Sequence, residues 1–202
     1  MSRDRIRGFY AILDENNERL ARSLFEASEI VQVRVKGSGP KRAQTARMAI
    51  RFAREMRRLL IVNDDLDMAL KLQASGVHLG QSDLPVEEAR ARAPKGFLIG
   101  LSTHNLEQVR DAVSRDVDYI GYGPVFPTTT KAEAEPVQGI DALQAAVAAA
   151  GDVPVVAIGG ITPERAVDVA KTGVAAACAL RAVNKATDLA AAAAQINAAF
   201  GR

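Results

Sequence analysis

Eight short runs rich in β-branched and aromatic residues alternate with segments of helical spacing along this chain, and that alternation constrains its fold most tightly. The runs are GFYAILD (8–14), IVQVRVK (30–36), LLIVND (59–64), GVHLG (76–80), FLIGLS (97–102), YIGYGPV (119–125), VPVVAIGG (153–160) and VAAACAL (174–180). Between them, apolar residues recur at helical spacing over residues 18–27, 41–55, 66–74, 106–114, 140–150 and 163–172, and an alanine-rich segment, 188–200, closes the series. Helix entries carry their own signals: Asp65 before Leu66, Asn105 before Leu106, and Pro163 in a first turn after Thr162.

Strands that alternate with helices imply right-handed crossovers and a parallel sheet. Eight units of about 25 residues each are the number that closes a (β/α)8 TIM barrel. No proline- or glycine-rich linker divides the chain, so residues 1–202 are expected to form a single domain. An open doubly wound sheet is the alternative, and an even run of eight units fits it less well.

Composition narrows the function classes. Lys and Arg number 26 against 24 Asp and Glu, a formal charge of +2, which gives no electrostatic reason to expect a nucleic-acid or membrane partner. With 48% hydrophobic and 25% charged residues the chain resembles an ordinary globular protein rather than a disordered one. One cysteine excludes an internal disulfide framework and a cysteine-rich zinc site, and two histidines leave little for a histidine-built metal centre. The polar start MSRDRIRGFYAILD does not read as a signal peptide, and no apolar run reaches the roughly 18 residues a membrane span needs. A cytoplasmic location is the expectation.

Polar residues interrupt the strands in a pattern. In IVQVRVK, Val31, Val33 and Val35 share one face and Gln32, Arg34 and Lys36 the other. In a barrel the valines pack on helices and the polar trio faces inward, where unpaired cations carry a large desolvation cost. An anionic ligand at the barrel mouth would satisfy them. The other unusual residues gather at the C-terminal strand ends, the face that carries active sites in parallel barrels. Asn63-Asp64-Asp65 follow the third strand, Gly80-Gln81-Ser82-Asp83 the fourth, Ser102-Thr103-His104 the fifth and GPVFPTTTK (123–131) the sixth.

Asp64 and Asp83, on adjacent strand ends, are hard oxygen ligands suited to Mg2+ that also touches substrate phosphates, with Asp65 as a helix cap beside them. The loop Pro127-Thr128-Thr129-Thr130-Lys131 offers hydroxyls, N–H groups and a cation to a phosphate. Gly159-Gly160 either lets backbone approach an anion or serves a tight turn. Cys178, on an apolar strand, reads as inert core. His78 lies inside a strand as a packed or orienting residue, and His104 sits where it could touch substrate. These residues together describe a site for two phosphorylated groups, or one long one, with Mg2+.

The ordered set QVRVK, VNDD, GVHLGQSDLP, IGLSTHN, DYIGYGPVFPTTTKAEAEPVQG and VVAIGGIT resembles the thiamine-phosphate synthase family from Gly8 to about Val183. The resemblance implies a (β/α)8 barrel and a transferase. It would join 4-amino-5-hydroxymethyl-2-methylpyrimidine diphosphate to 4-methyl-5-(2-phosphoethyl)thiazole, releasing pyrophosphate. It implies that Gln32, Arg34, Lys36 and Asn63 hold the pyrimidine diphosphate and that Asp64 and Asp83 bind Mg2+. Ser102 and Lys131 would contact the pyrimidine substrate, Lys131 through the leaving pyrophosphate. Thr128, Thr130, Gly160 and the backbone near Ala177-Cys178 would hold the thiazole phosphate. The reaction it implies is dissociative, through a pyrimidine methylene cation. Two departures stand out: Val35 where the family often has glutamate, and Ala177-Cys178 where it commonly has an isoleucine-serine pair. A thiazole tautomerase, using a histidine for proton transfer, and a silent phosphate-binding barrel are the competing readings. The oligomeric state is not fixed by the sequence.

Overall fold

Parallel pairing runs around the whole sheet, each strand bonded to the next and the last to the first. The structure, a computed structural model, describes residues 3–35, 39–128 and 136–201. The strands are β1 (Gly8–Leu13), β2 (Ile30–Val33), β3 (Leu59–Asn63), β4 (Gly76–Leu79), β5 (Leu98–Thr103), β6 (Tyr119–Tyr122), β7 (Val155–Ile158) and β8 (Ala176–Cys178). The helices among the described residues are α1 (Glu18–Ala27), α2 (Pro40–Glu55), α3 (Leu66–Leu72), α4 (Val86–Arg92), α5 (Leu106–Ser114), α6 (Gly139–Ala150), α7 (Ala166–Lys171), α8 (Leu180–Asn184) and α9 (Leu189–Ala199). The fold is a single (β/α)8 TIM barrel. The open-sheet alternative fails on the β1–β8 pairing, in which Gly8 faces Ala176 and Tyr10 faces Cys178.

Several expected strands are longer than the observed ones, because side-chain alternation continues into loops whose backbone has left the ladder. β2 ends at Val33, so Arg34 begins a loop, and β6 ends at Tyr122 before a cis Gly123–Pro124 peptide. The helix α4, for which the sequence suggested no bounds, starts after Pro85 and carries Glu87 and Glu88 in its first turn, where carboxylates favour the helix dipole. Side-chain caps appear where the sequence signalled them: Asp65 accepts from the Met68 N–H at 2.8 Å and Asn105 from the Gln108 N–H at 2.9 Å. No helix among the described residues is long and apolar enough to cross a membrane.

The core has two layers, as strand alternation in a closed barrel requires. Val31, Val33, Leu60, Val62 and Ala177 face outward against helix residues such as Leu24, Phe52 and Ala193. Tyr10, Ile12, Ile30, Leu59, Ile61, Leu98, Tyr119 and Cys178 fill the interior. At the C-terminal end of the barrel this apolar filling gives way to polar side chains, and a cavity opens above it.

Candidate active site

Strand register decides which polar residues meet. Gln32 pairs with Ile61 across β2 and β3, Asn63 with His78 across β3 and β4, and Ser102 with Gly121 across β5 and β6. Gln32, Asn63, His78 and Ser102 all line a cavity of about 500 Å3 at the C-terminal ends of the strands. Arg34, Thr128, Gly160 and Cys178 line it too. Of the residues singled out in the sequence, Lys36, Thr130 and Lys131 lie outside the described residues.

Beneath the cavity an unbroken chain of hydrogen bonds crosses the barrel. Ser102 Oγ lies 2.9 Å from His78 Nε2, and His78 Nδ1 lies 3.0 Å from the Tyr119 hydroxyl. The Tyr119 and Tyr10 hydroxyls are 2.9 Å apart, and Tyr10 donates to Gln32 Oε1 at 3.1 Å. Gln32 Nε2 then donates to Asn63 Oδ1 at 2.5 Å. Gln32 is therefore not left unpaired awaiting a ligand, as its inward direction alone suggested. Burial, and after it the charge of Arg34, the cation of this wall, push the His78 pKa down to about 4, so the ring is neutral near pH 7.

Two carboxylates stand at the rim. Asp64 follows β3 in a left-handed backbone conformation, φ 64°, and its N–H donates to the His78 carbonyl at 2.8 Å. Its side chain reaches hydrogen-bonding contact with Asp83, whose Oδ2 also accepts from the Gly80 N–H at 2.7 Å. Loss of hydration at the rim and then the Asp83 charge raise the Asp64 pKa from 3.8 to about 6, against the lowering effect of Arg42 and Arg34. Asp64 lines a smaller neighbouring cleft with Arg42 rather than the main cavity. Among the described residues no group of three or more His, Cys, Asp or Glu could hold a metal ion by itself.

On the opposite side, the loop after β6 packs on the turn after β7. Val125 N–H donates to the Ile158 carbonyl and Phe126 N–H to the Gly159 carbonyl. Gly159 (φ 97°) and Gly160 (φ 63°) are required there, because a Cβ on Gly159 would lie 2.6 Å from Pro124 and one on Gly160 2.5 Å from the Pro127 carbonyl. The glycine pair makes the turn after β7, and both glycines line the cavity.

The expected role of Ala177 rests on its backbone and not on its side chain. Strand alternation turns it into the helix-facing layer, and only its neighbour Cys178 faces the barrel interior and the cavity. The rim beyond β8 is instead formed by Leu180, Arg181 and Ala182. Burial pushes the Cys178 thiol up to about 12, which leaves it protonated and unreactive, in keeping with an inert core residue. His104 lines the cavity with Nδ1 committed to the Gly123 carbonyl at 2.6 Å.

Sequence reasoning missed Arg42, whose guanidinium donates to the Asn63 carbonyl at 2.5 Å and which reads in sequence as part of a solvated helix face. It also missed Arg165 at the cavity wall, stacked 4.5 Å over Phe126 and donating to the Gly160 carbonyl. Tyr10 and Tyr119 carried no polar signal, since aromatic residues in strands read as packing.

The thiamine monophosphate synthase family model matches residues 9–183, which includes every element lining this cavity. The chain belongs to the thiamine monophosphate synthase family. A thiamine-phosphate synthase of Methanocella arvoryzae is 46% identical over 156 residues, covering 74% of this chain and 73% of the relative. One from Anaeromyxobacter dehalogenans is 44% identical, covering 84% of this chain and 76% of the relative. Among solved structures, thiamine phosphate pyrophosphorylase from Pyrococcus furiosus superposes with a TM-score of 0.87 at 32% identity, over 98% of this chain and 97% of that one. A 3-hexulose-6-phosphate synthase, at 19% identity and a TM-score of 0.70, shares the fold alone. Family membership makes the chain a transferase of thiamine biosynthesis acting on small phosphorylated pyrimidine and thiazole substrates.

Proposed function

We propose that the chain joins 4-amino-5-hydroxymethyl-2-methylpyrimidine diphosphate to 4-methyl-5-(2-phosphoethyl)thiazole inside the barrel-mouth cavity, by a dissociative route assisted by Mg2+. The observation that carries the reading is the wall that gathers Gln32, Arg34, Asn63 and Ser102 opposite Thr128 and Gly160 around one cavity of about 500 Å3. That volume suits two small ligands held side by side.

In this reading Gln32 and Ser102 orient the pyrimidine, and Asn63 and Arg34 meet its diphosphate. The carbon–oxygen bond between the methylene and the diphosphate breaks, and its electron pair leaves with pyrophosphate. The thiazole nitrogen then donates its lone pair to the methylene carbon and forms the new bond. Arg34 lowers the barrier by stabilising negative charge that grows on the leaving group. Thr128 and Gly160, with Arg165 and Arg181 beside them, hold the thiazole phosphate so that its nitrogen is aimed at the cation. Lys36, Thr130 and Lys131 belong to the expected set and lie outside the described residues.

Asp64 and Asp83 fit a magnesium site of the kind completed by water and substrate phosphates, which needs only one or two protein carboxylates. Their mutual crowding, which raises the Asp64 pKa, is what a divalent cation would relieve. When bound, Mg2+ would supply positive charge to the diphosphate. No proton passes between protein and substrate in this reaction. Each histidine at the cavity is correspondingly held: His78 between Tyr119 and Ser102, His104 on the Gly123 carbonyl. A tautomerase would need one of them as a proton carrier.

The test is pyrophosphate release with both phosphorylated substrates, with and without Mg2+. Release that requires both substrates and Mg2+, with an equal amount of thiamine phosphate, is expected. Conversion of a thiazole isomer with no pyrophosphate released would overturn the proposal.

A further inference from the structure

We infer that Tyr10 and Tyr119 are positioning residues which, through His78, hold the Ser102 hydroxyl as a hydrogen-bond acceptor and so select the amino group of the pyrimidine. The inference rests on the substrate reading above and adds to it the polarity of the chain beneath the cavity.

Each phenol has one proton to give. Tyr10 gives its proton to Gln32 Oε1, so at 2.9 Å from Tyr119 its oxygen can only accept. Tyr119 has then spent its own proton, and His78 Nδ1, at 3.0 Å from the Tyr119 oxygen, must carry the hydrogen between them. A neutral ring with Nδ1–H leaves Nε2 as an acceptor, and the Ser102 hydroxyl at 2.9 Å is its donor. Ser102 thus enters the cavity wall with only lone pairs to offer a ligand. Burial raises both phenols far above their ordinary range, so neither proton is lost at working pH.

The far end fixes the same direction. Gln32 donates to Asn63 Oδ1, which leaves the Asn63 amide nitrogen, a donor, as the end suited to a diphosphate oxygen. Reversing the chain would turn both amides and aim a carbonyl oxygen at the anion. Diphosphate recognition at Asn63 and acceptor character at Ser102 are therefore two ends of one ordered relay. Of the two substrates, only the pyrimidine carries an N–H group, its 4-amino nitrogen, and that group suits a serine that can only accept.

The experiment uses the full chain with 15N-labelled histidine, whose two residues give two resolvable tautomer patterns in long-range 1H–15N spectra. The wild type should show Nδ1–H for both rings. Tyr10→Phe does not touch His78, yet it removes the acceptor of the Tyr119 proton. That proton should turn to His78 Nδ1 and move the ring to the Nε2–H form. In the same variant, KM for the 4-amino substrate should rise about five- to tenfold, with kcat little changed, and preference over the 4-oxo analogue should fall about tenfold. Tyr119→Phe, as second variant, should leave His78 a mixture of tautomers. An Nε2–H ring in the wild type, or an unchanged tautomer in folded Tyr10→Phe, would overturn the relay. A tautomer shift in a protein that releases no pyrophosphate would instead overturn the substrate reading and leave the relay standing.

Discussion

The ring of Tyr119 occupies the space that any side chain at residue 100 would fill: a Cβ built on Gly100 lies 2.1 Å from its Cζ and 2.5 Å from its hydroxyl oxygen. β5 carries glycine there so that β6 can send a phenol across the barrel axis to Tyr10 and His78. Gly121 does the same for the His78 ring, whose Cε1 stands 3.1 Å from the corresponding point. Gly100→Ala should therefore cost about 1–3 kcal/mol as overpacking of a filled interior. Urea denaturation reads that cost, and a variant as stable as the wild type would show that the ring has an alternative position.

Asp64 supplies a pH dependence with a definite sign. Its pKa is raised from 3.8 to about 6, so the ionised form is disfavoured in the folded, metal-free protein. The resulting penalty is absent below about pH 4 and fully present above about pH 6. Asp64→Asn should remove it, and asparagine also accepts the left-handed backbone at φ 64° better than alanine does. Without Mg2+, the melting temperature of the variant at pH 8 should equal or exceed that of the wild type. Mg2+ should stabilise the wild type, less so as the pH falls through 6, and should leave the variant unchanged. A variant still stabilised by Mg2+ would remove Asp64 from the metal site.

Cys178 yields a prediction of inertness. A buried thiol at about 12 within the interior layer at the cavity floor has almost no thiolate at pH 8. Native protein should keep its activity through an hour with excess iodoacetamide, whereas urea-unfolded chain should be alkylated at its one cysteine. Rapid inactivation of the native form would mean that the thiol ionises in place and is open to the reagent through the cavity.

Much of this site is legible in the sequence because strand period and barrel closure leave few choices. Gln32 and Arg34 announce themselves as polar residues on an inward face, and Asp65 as the cap that frees Asp64 for the rim. What the sequence hides is pairing across the axis. Tyr10 and Tyr119 are 109 positions apart, and each by itself is an aromatic in a strand. Only a closed barrel brings their hydroxyls within bonding distance. Arg42 is hidden for a different reason, since one arginine in the basic first turns of α2 looks like its solvated neighbours until the helix docks beside β3.

Arg34 acts on both Asp64 and His78: beside burial it helps to lower the His78 pKa, and it opposes the rise that burial and Asp83 impose on Asp64. Its removal takes a fixed cation from the proposed leaving-group wall, so Arg34→Ala should lower kcat about 100-fold, the scale of losing one preorganised charge donor. Arg34→Gln should do nearly the same, because a neutral amide cannot replace the charge. Normal turnover in either variant would assign the pyrophosphate charge to other cations.

Gly160→Ala is the variant expected to separate the two proposed substrate sites. Its φ of 63° is costly for any residue with a Cβ, and that Cβ would sit 2.5 Å from the Pro127 carbonyl and 2.7 Å from Phe126 Cβ. In Gly160→Ala the loop carrying Phe126, Pro127 and Thr128 has to move away from the turn after β7, while Gln32, Arg34 and Asn63 on β2 and β3 and the loops that follow them stay in place. KM for the thiazole phosphate should then rise tenfold or more, about 1.4 kcal/mol of lost binding, with KM for the pyrimidine diphosphate changed less than about twofold. Steady-state kinetics with each substrate varied in turn gives both values. An equal rise in both would mean that the loop after β6 closes over the pyrimidine as well, and that the cavity is one site rather than two adjoining ones.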